Sequence, residues 1–140
     1  MTTVAPQPNV SLVSALKAAG LAGLIAAVIN FLVYYAARLI IGGPLVVDPP
    51  GPPPESPLPV VVVIVASIVP ALGAGLVYWG LDRFLPNPNR VFLIVSAVVF
   101  IAFMFNPITA AATSAVGWTL EIMHGVVAVP VVMTLLNLKK

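Results

Sequence analysis

The chain contains one histidine, and a glutamate stands three residues before it, as Glu121-x-x-His124. On a helix that spacing puts the two side chains at neighbouring positions of one face. There a carboxylate and an imidazole could hold a metal, ligate a cofactor or pass a proton. Carboxylate-bridged di-iron bundles use the same spacing, but they need further carboxylates and a second histidine. The other acids, Asp48, Glu55 and Asp82, fall in segments that read as loop or turn, so a di-iron centre is rejected. A haem or chlorophyll-type pigment needs only one axial imidazole, which His124 could supply. An intramembrane Glu–His pair can also mark a proton path. The plainer reading is a buried, hydrogen-bonded polar network, with no metal and no cofactor. Nucleophilic catalysis lacks its parts: there is no cysteine, and Ser67, Ser96 and Ser114 sit in apolar runs without a second acid or a glycine-rich oxyanion turn. The protein is therefore expected not to be an enzyme.

These few polar groups must be positioned by elements made for lipid. Of the 140 residues, 61% are hydrophobic and 7% charged, against roughly 45–50% and 25% for a soluble domain. Mean hydropathy is +1.14. Four apolar stretches of membrane-crossing length take up most of the chain, at about 15–41, 58–81, 90–106 and 109–137. No alternation of apolar and polar residues suggests a barrel, so helices must satisfy the backbone. The expected fold is all-α: one integral membrane domain over residues 1–140, a four-transmembrane-helix bundle.

Between spans 1 and 2, residues 42–59 hold eight of the fifteen prolines. This segment reads as a stiff, extended, polyproline-like outer loop, since proline lacks the donor a helix needs. Asn106-Pro107 reads as the end of span 3. Lys17, Arg83, Arg90, Lys139 and Lys140 fall on the side of the termini and only Arg38 on the other. That asymmetry puts both termini in the cytoplasm and the protein, multi-pass, in the inner (cytoplasmic) membrane. The net charge of +2 is scattered singly, which argues against nucleic acid as a partner.

At about 1.5 Å per residue, Asn30 lies about 18 Å into span 1 and His124 about 15 Å into span 4, both near the midplane. Ser67 falls at a similar level, and Tyr34 stands one turn outward of Asn30, level with Glu121. Asn30, Tyr34, Ser67, Glu121 and His124 therefore form the candidate polar network or ligand site. Small residues at four-residue steps, Ala15, Ala19, Gly23 and Ala27 on helix 1, permit close helix approach in lipid. Thr113, Gly117, Glu121 and Gly125 repeat the pattern on helix 4. Such stripes serve packing within the bundle or the seam of a homodimer. Pro70 and Pro130 each remove a helical hydrogen bond, to the carbonyls of Ala66 and Val126.

The segment AAVINFLVYYAARL in span 1, the proline-rich outer loop, NRVF at the start of span 3 and EIMHGVVAVPVV in span 4 resemble a group of small bacterial four-span membrane proteins classed only as a domain of unknown function. The resemblance covers nearly the whole chain and rests mainly on Asn30 and His124. It implies the fold and a membrane location, and brings no activity with it. The expected role is an accessory or scaffold subunit of a larger membrane complex, in contact with the bilayer and with other membrane subunits. The alternative is a ligand- or proton-handling module centred on His124 and Glu121.

Overall fold

The computed structural model describes residues 9–48 and 55–138. Four helices, α1 (Leu12–Ile41), α2 (Val60–Phe84), α3 (Pro88–Ala110) and α4 (Ser114–Leu136), are each long and apolar enough to cross a membrane. They form a multi-pass bundle in which successive helices run antiparallel, so the start of α1 and the end of α4 share one end. Two contacts fix this: the Val10 N–H donates to Asp82 at the end of α2, and Asn89 at the start of α3 donates to the Leu136 carbonyl of α4.

Local sequence sets the ends of the helices. The Ser11 hydroxyl accepts the Ser14 N–H at 3.0 Å and caps α1. Gly42 closes α1 at φ 78°, in the left-handed region that glycine enters without strain, and its N–H reaches the Arg38 carbonyl. Pro88 opens α3, where its missing N–H costs nothing. Thr113 caps α4 by accepting the Val116 N–H.

Two expectations from the sequence are corrected. Asn106-Pro107 does not end the third helix, which runs on to Ala110. The Thr109 hydroxyl donates to the carbonyls of Phe105 and Asn106, satisfying acceptors at this helix end. The fourth helix accordingly starts at Ser114 rather than near 109. Nor is the loop between α1 and α2 simply extended. Its two ends form a short antiparallel ladder, β1 (Val46–Val47) with β2 (Ser56–Pro57), in which Val46 faces Pro57. Val47 also bridges Ala111, and the Asp48 N–H donates to the Ala110 carbonyl at 2.7 Å. Residues 49–54, the PPGPPP tip expected to be polyproline-like, lie outside the described residues, as do Lys139 and Lys140.

The core has two apolar clusters. One, towards the termini, gathers Ala19, Ala22, Ala71, Tyr78, Phe92, Val131 and Leu135. The other, towards the loop, gathers Tyr34, Ala37, Leu45, Val63, Val116 and Met123. α1 packs closely on α2 and α3 on α4, while α2 and α3 meet at few places.

Candidate functional site

The polar layer between the two clusters is built on Asn30, which is only 2% exposed. Its amide Nδ2 donates to the Ser67 hydroxyl at 3.0 Å and to the Met123 carbonyl at 3.1 Å. The Ser67 hydroxyl in turn donates to Val63 one turn back on α2. One side chain thus ties α1 to both α2 and α4. Since Asn30 bonds Ser67 and not His124, Asn30→Ala and Ser67→Ala should couple by about 0.6 kcal/mol, the average for membrane hydrogen bonds. Asn30→Ala and His124→Ala should be additive. Denaturation of the three single and two double variants in detergent measures both.

His124 lies on the wall of a cavity of about 430 Å³, bounded by α2, α3 and α4, with Asn30 at its edge. The walls are almost wholly apolar, from Val62 and Pro70 on α2 to Val99 and Phe103 on α3, and the side chains with polar atoms are Asn30, Ser67, Ser96 and His124. The His124 ring turns back on its own helix, with Nδ1 3.2 Å from the Leu120 carbonyl. A carbonyl only accepts, so Nδ1 carries the proton and a neutral ring presents Nε2 as an acceptor.

The other candidate residues lie elsewhere. Glu121 is buried, but it is not on the cavity wall, and its Oε1 has no hydrogen-bond partner. The expected Glu121–His124 pair does not form: the imidazole satisfies its Nδ1 on Leu120 instead. Tyr34 donates to the Leu58 carbonyl at 2.7 Å, fastening the α1–α2 loop rather than joining Asn30. Among the small residues, Ala15, Ala19, Gly23 and Ala27 are buried. Gly117 packs against the Pro107–Ala111 end of α3, whereas Gly125 faces open space. The helix 4 stripe is therefore packed at Gly117 and Glu121 and open at Gly125.

A second polar group, absent from the sequence reading, closes the end that holds the termini. Asp82 reads as part of a turn, yet it belongs to the last turn of α2, is 5% exposed and accepts the Val10 N–H at 2.7 Å. One helical turn earlier, the fully buried Tyr78 donates to Asn89 Oδ1 at 2.7 Å and meets Phe92 edge-on at 5.1 Å. The usable signal was the four-residue step from Tyr78 to Asp82, which places both on the face that carries Ala71 and Gly75.

Among the described residues no three His, Cys, Asp or Glu side chains gather where they could hold a metal ion. What the arrangement offers is hydrogen bonding inside an apolar cleft. No curated protein and no solved structure matches the chain. A family described as a family of unknown function, DUF6069, matches residues 11–139, from the cap of α1 to beyond the end of α4. The match spans all four helices, the polar layer and the clamped loop, and the chain belongs to that family.

Proposed function

We propose that this is a non-enzymatic accessory or scaffold subunit of a larger membrane assembly, resident in the inner (cytoplasmic) membrane with both termini in the cytoplasm. The observation that carries the reading is the clamped base of the outer loop. Leu45 is fully buried, its carbonyl accepts the Leu58 N–H at 2.7 Å, and Tyr34 and Ala110 hold the strands from two sides. A base held this firmly loses little entropy when a protein partner docks on this side of the bundle. Replacing residues 49–54 with a glycine-serine segment should leave the bundle folded and strip co-purifying membrane subunits from the affinity-tagged protein. Purification as a lone chain before the replacement would sink the proposal, and a pair of identical chains would replace it with a homodimer.

The proposed sidedness rests on cations. Lys17, Arg83 and Arg90 cluster at the end of the termini, and Arg83 lies over the Trp79 ring at 5.4 Å as interfacial residues do. At the other end Arg38 is the one basic residue among the described residues, stacked on Tyr34 and Tyr35. The chain has no cysteine. A cysteine at the exposed Glu55 should therefore react with an impermeant thiol reagent in intact cells, and one at the exposed Asn87 should not. Reversed labelling would overturn the orientation.

The second reading, a ligand- or proton-handling module, is favoured by the buried, unpartnered Glu121 Oε1. If it relays protons, vesicles should show a pH-dependent flux that Glu121→Gln abolishes.

A further inference from the structure

Counting donors and acceptors around the cleft between α2 and α3 gives a one-sided result. Asn30 spends both amide protons, on Ser67 and Met123, and its Oδ1 is left without a donor. Ser67 spends its only proton on Val63. His124 spends Nδ1–H on Leu120, which leaves the Nε2 lone pair. Pro70, on the wall, has no N–H to give the Ala66 carbonyl beside it. Ser96, on the α3 wall, adds the one hydroxyl among these side chains whose proton is uncommitted. The unfilled capacity of the site is thus mostly acceptor, in surroundings that otherwise offer only hydrocarbon.

We propose that this cleft binds a membrane-dissolved apolar molecule bearing a hydroxyl group, a phenol or a long-chain alcohol, whose O–H donates to His124 Nε2. The volume suits such a ligand. Its volume of about 430 Å³ falls within the usual range of small-molecule pockets. The route in is lateral. Val62, Val99 and Phe103 line the cleft and are each about half exposed, at 47%, 49% and 54%, so its mouth faces the lipid between two helices that meet at few places. A ligand arriving from the bilayer leaves hydrocarbon for hydrocarbon, so apolar burial alone gains little. Selection then falls to the one hydrogen bond that lipid tails cannot make, and a wall of acceptors selects a donor. This inference is independent of the accessory-subunit reading, and its failure would leave partner capture untouched.

The test uses 4-nonylphenol and nonylbenzene, near-identical in shape and differing by the hydroxyl. Because the chain has a single histidine, protein labelled with ¹⁵N-histidine reports one pair of ring nitrogens. Nonylphenol should move the Nε2 signal, nonylbenzene should not, and the phenol should bind about tenfold tighter, the yield of one well-made hydrogen bond. His124→Phe should reduce the phenol to the affinity of nonylbenzene. Val99→Trp, on the half-exposed wall outside the core, should block both compounds and keeps the test valid if the histidine variant fails to fold. Equal affinities with an unmoved Nε2 signal would overturn the proposal, as would a visible absorption band from a co-purified pigment ligated by that nitrogen.

Discussion

Replacing Gly23 with leucine should separate α1 from α2 and leave no folded bundle to purify, while Gly125→Ala should behave as the parent protein or slightly better. A Cβ at position 23 would sit 2.8 Å from the Ala71 Cβ and 3.3 Å from both the Ile68 Cα and the Ser67 carbonyl oxygen. Two of those three atoms are backbone and cannot swing aside, so the helices must move apart. Alanine alone should cost about 1–3 kcal/mol, as overpacked cores do, and leucine more. Separation also breaks the Asn30–Ser67 bond, since Ser67 is one of the residues displaced. At Gly125 an added Cβ meets nothing within 4 Å, and alanine gains up to about 1 kcal/mol of helix preference. Loss of monodisperse protein for the first variant and an unchanged or raised Tm for the second is the expected pair of results. A well-folded Gly23→Leu protein would mean that the α1–α2 seam is looser than described.

The second large effect should come from Tyr78→Ala, which ought to cost about 3 kcal/mol. The side chain is fully buried among α2, α3 and α4 residues, with Phe92 and Leu135 in the same cluster. Deleting it leaves an aromatic-sized hole and strands Asn89 Oδ1, the acceptor of its hydroxyl. Large aromatic truncations in cores cost roughly 3–5 kcal/mol, and the lower end applies because the transfer component fades in lipid. Tyr78→Phe separates the two contributions. It keeps the edge-on contact with Phe92 and loses only the hydrogen bond, so about 1 kcal/mol is expected. Equilibrium unfolding in mixed micelles measures both, and equal losses for the two variants would show that the ring itself contributes nothing.

Four spans were legible because membrane thickness converts directly into run length, and α1 was read almost to its true ends because its apolar run continues to Ile41. Asn30 and Ser67 were legible for a related reason: a polar side chain in the middle of such a run must find a partner, and depth alone brings the two to one layer. What depth cannot give is azimuth. Glu121 and His124 are three residues apart whichever way α4 faces, and nothing in their spacing says that the imidazole will close on Leu120 and leave the acid alone. Asp82 and Asn89 were missed for the opposite reason. In DRFLPNPNR they look like the polar content of a solvated turn, and only the neighbouring helix ends reveal that Asp82 is buried and Asn89 partly so. The β1–β2 ladder is two residues long on each side, too short for any alternation to register, and its third partner, Ala111, is more than fifty residues away.

The reciprocal notches of the α1–α2 seam bear on how the protein is made. Gly23 receives α2 at Ala71, and Gly75 receives α1 at Ala15 and Ala19, so each helix supplies the recess for the other. Both partners of that seam have left the ribosome before α3 begins to emerge. A nascent chain can therefore dock its first helical hairpin while the second is still being translated, without waiting for a distant segment to complete the contact. The polar layer is then half assembled early: Asn30 meets Ser67 in the first hairpin and waits for Met123 to arrive with the last helix. In the interval its second amide proton needs a temporary acceptor, and an insertase that provided one would act as a chaperone for a single hydrogen bond.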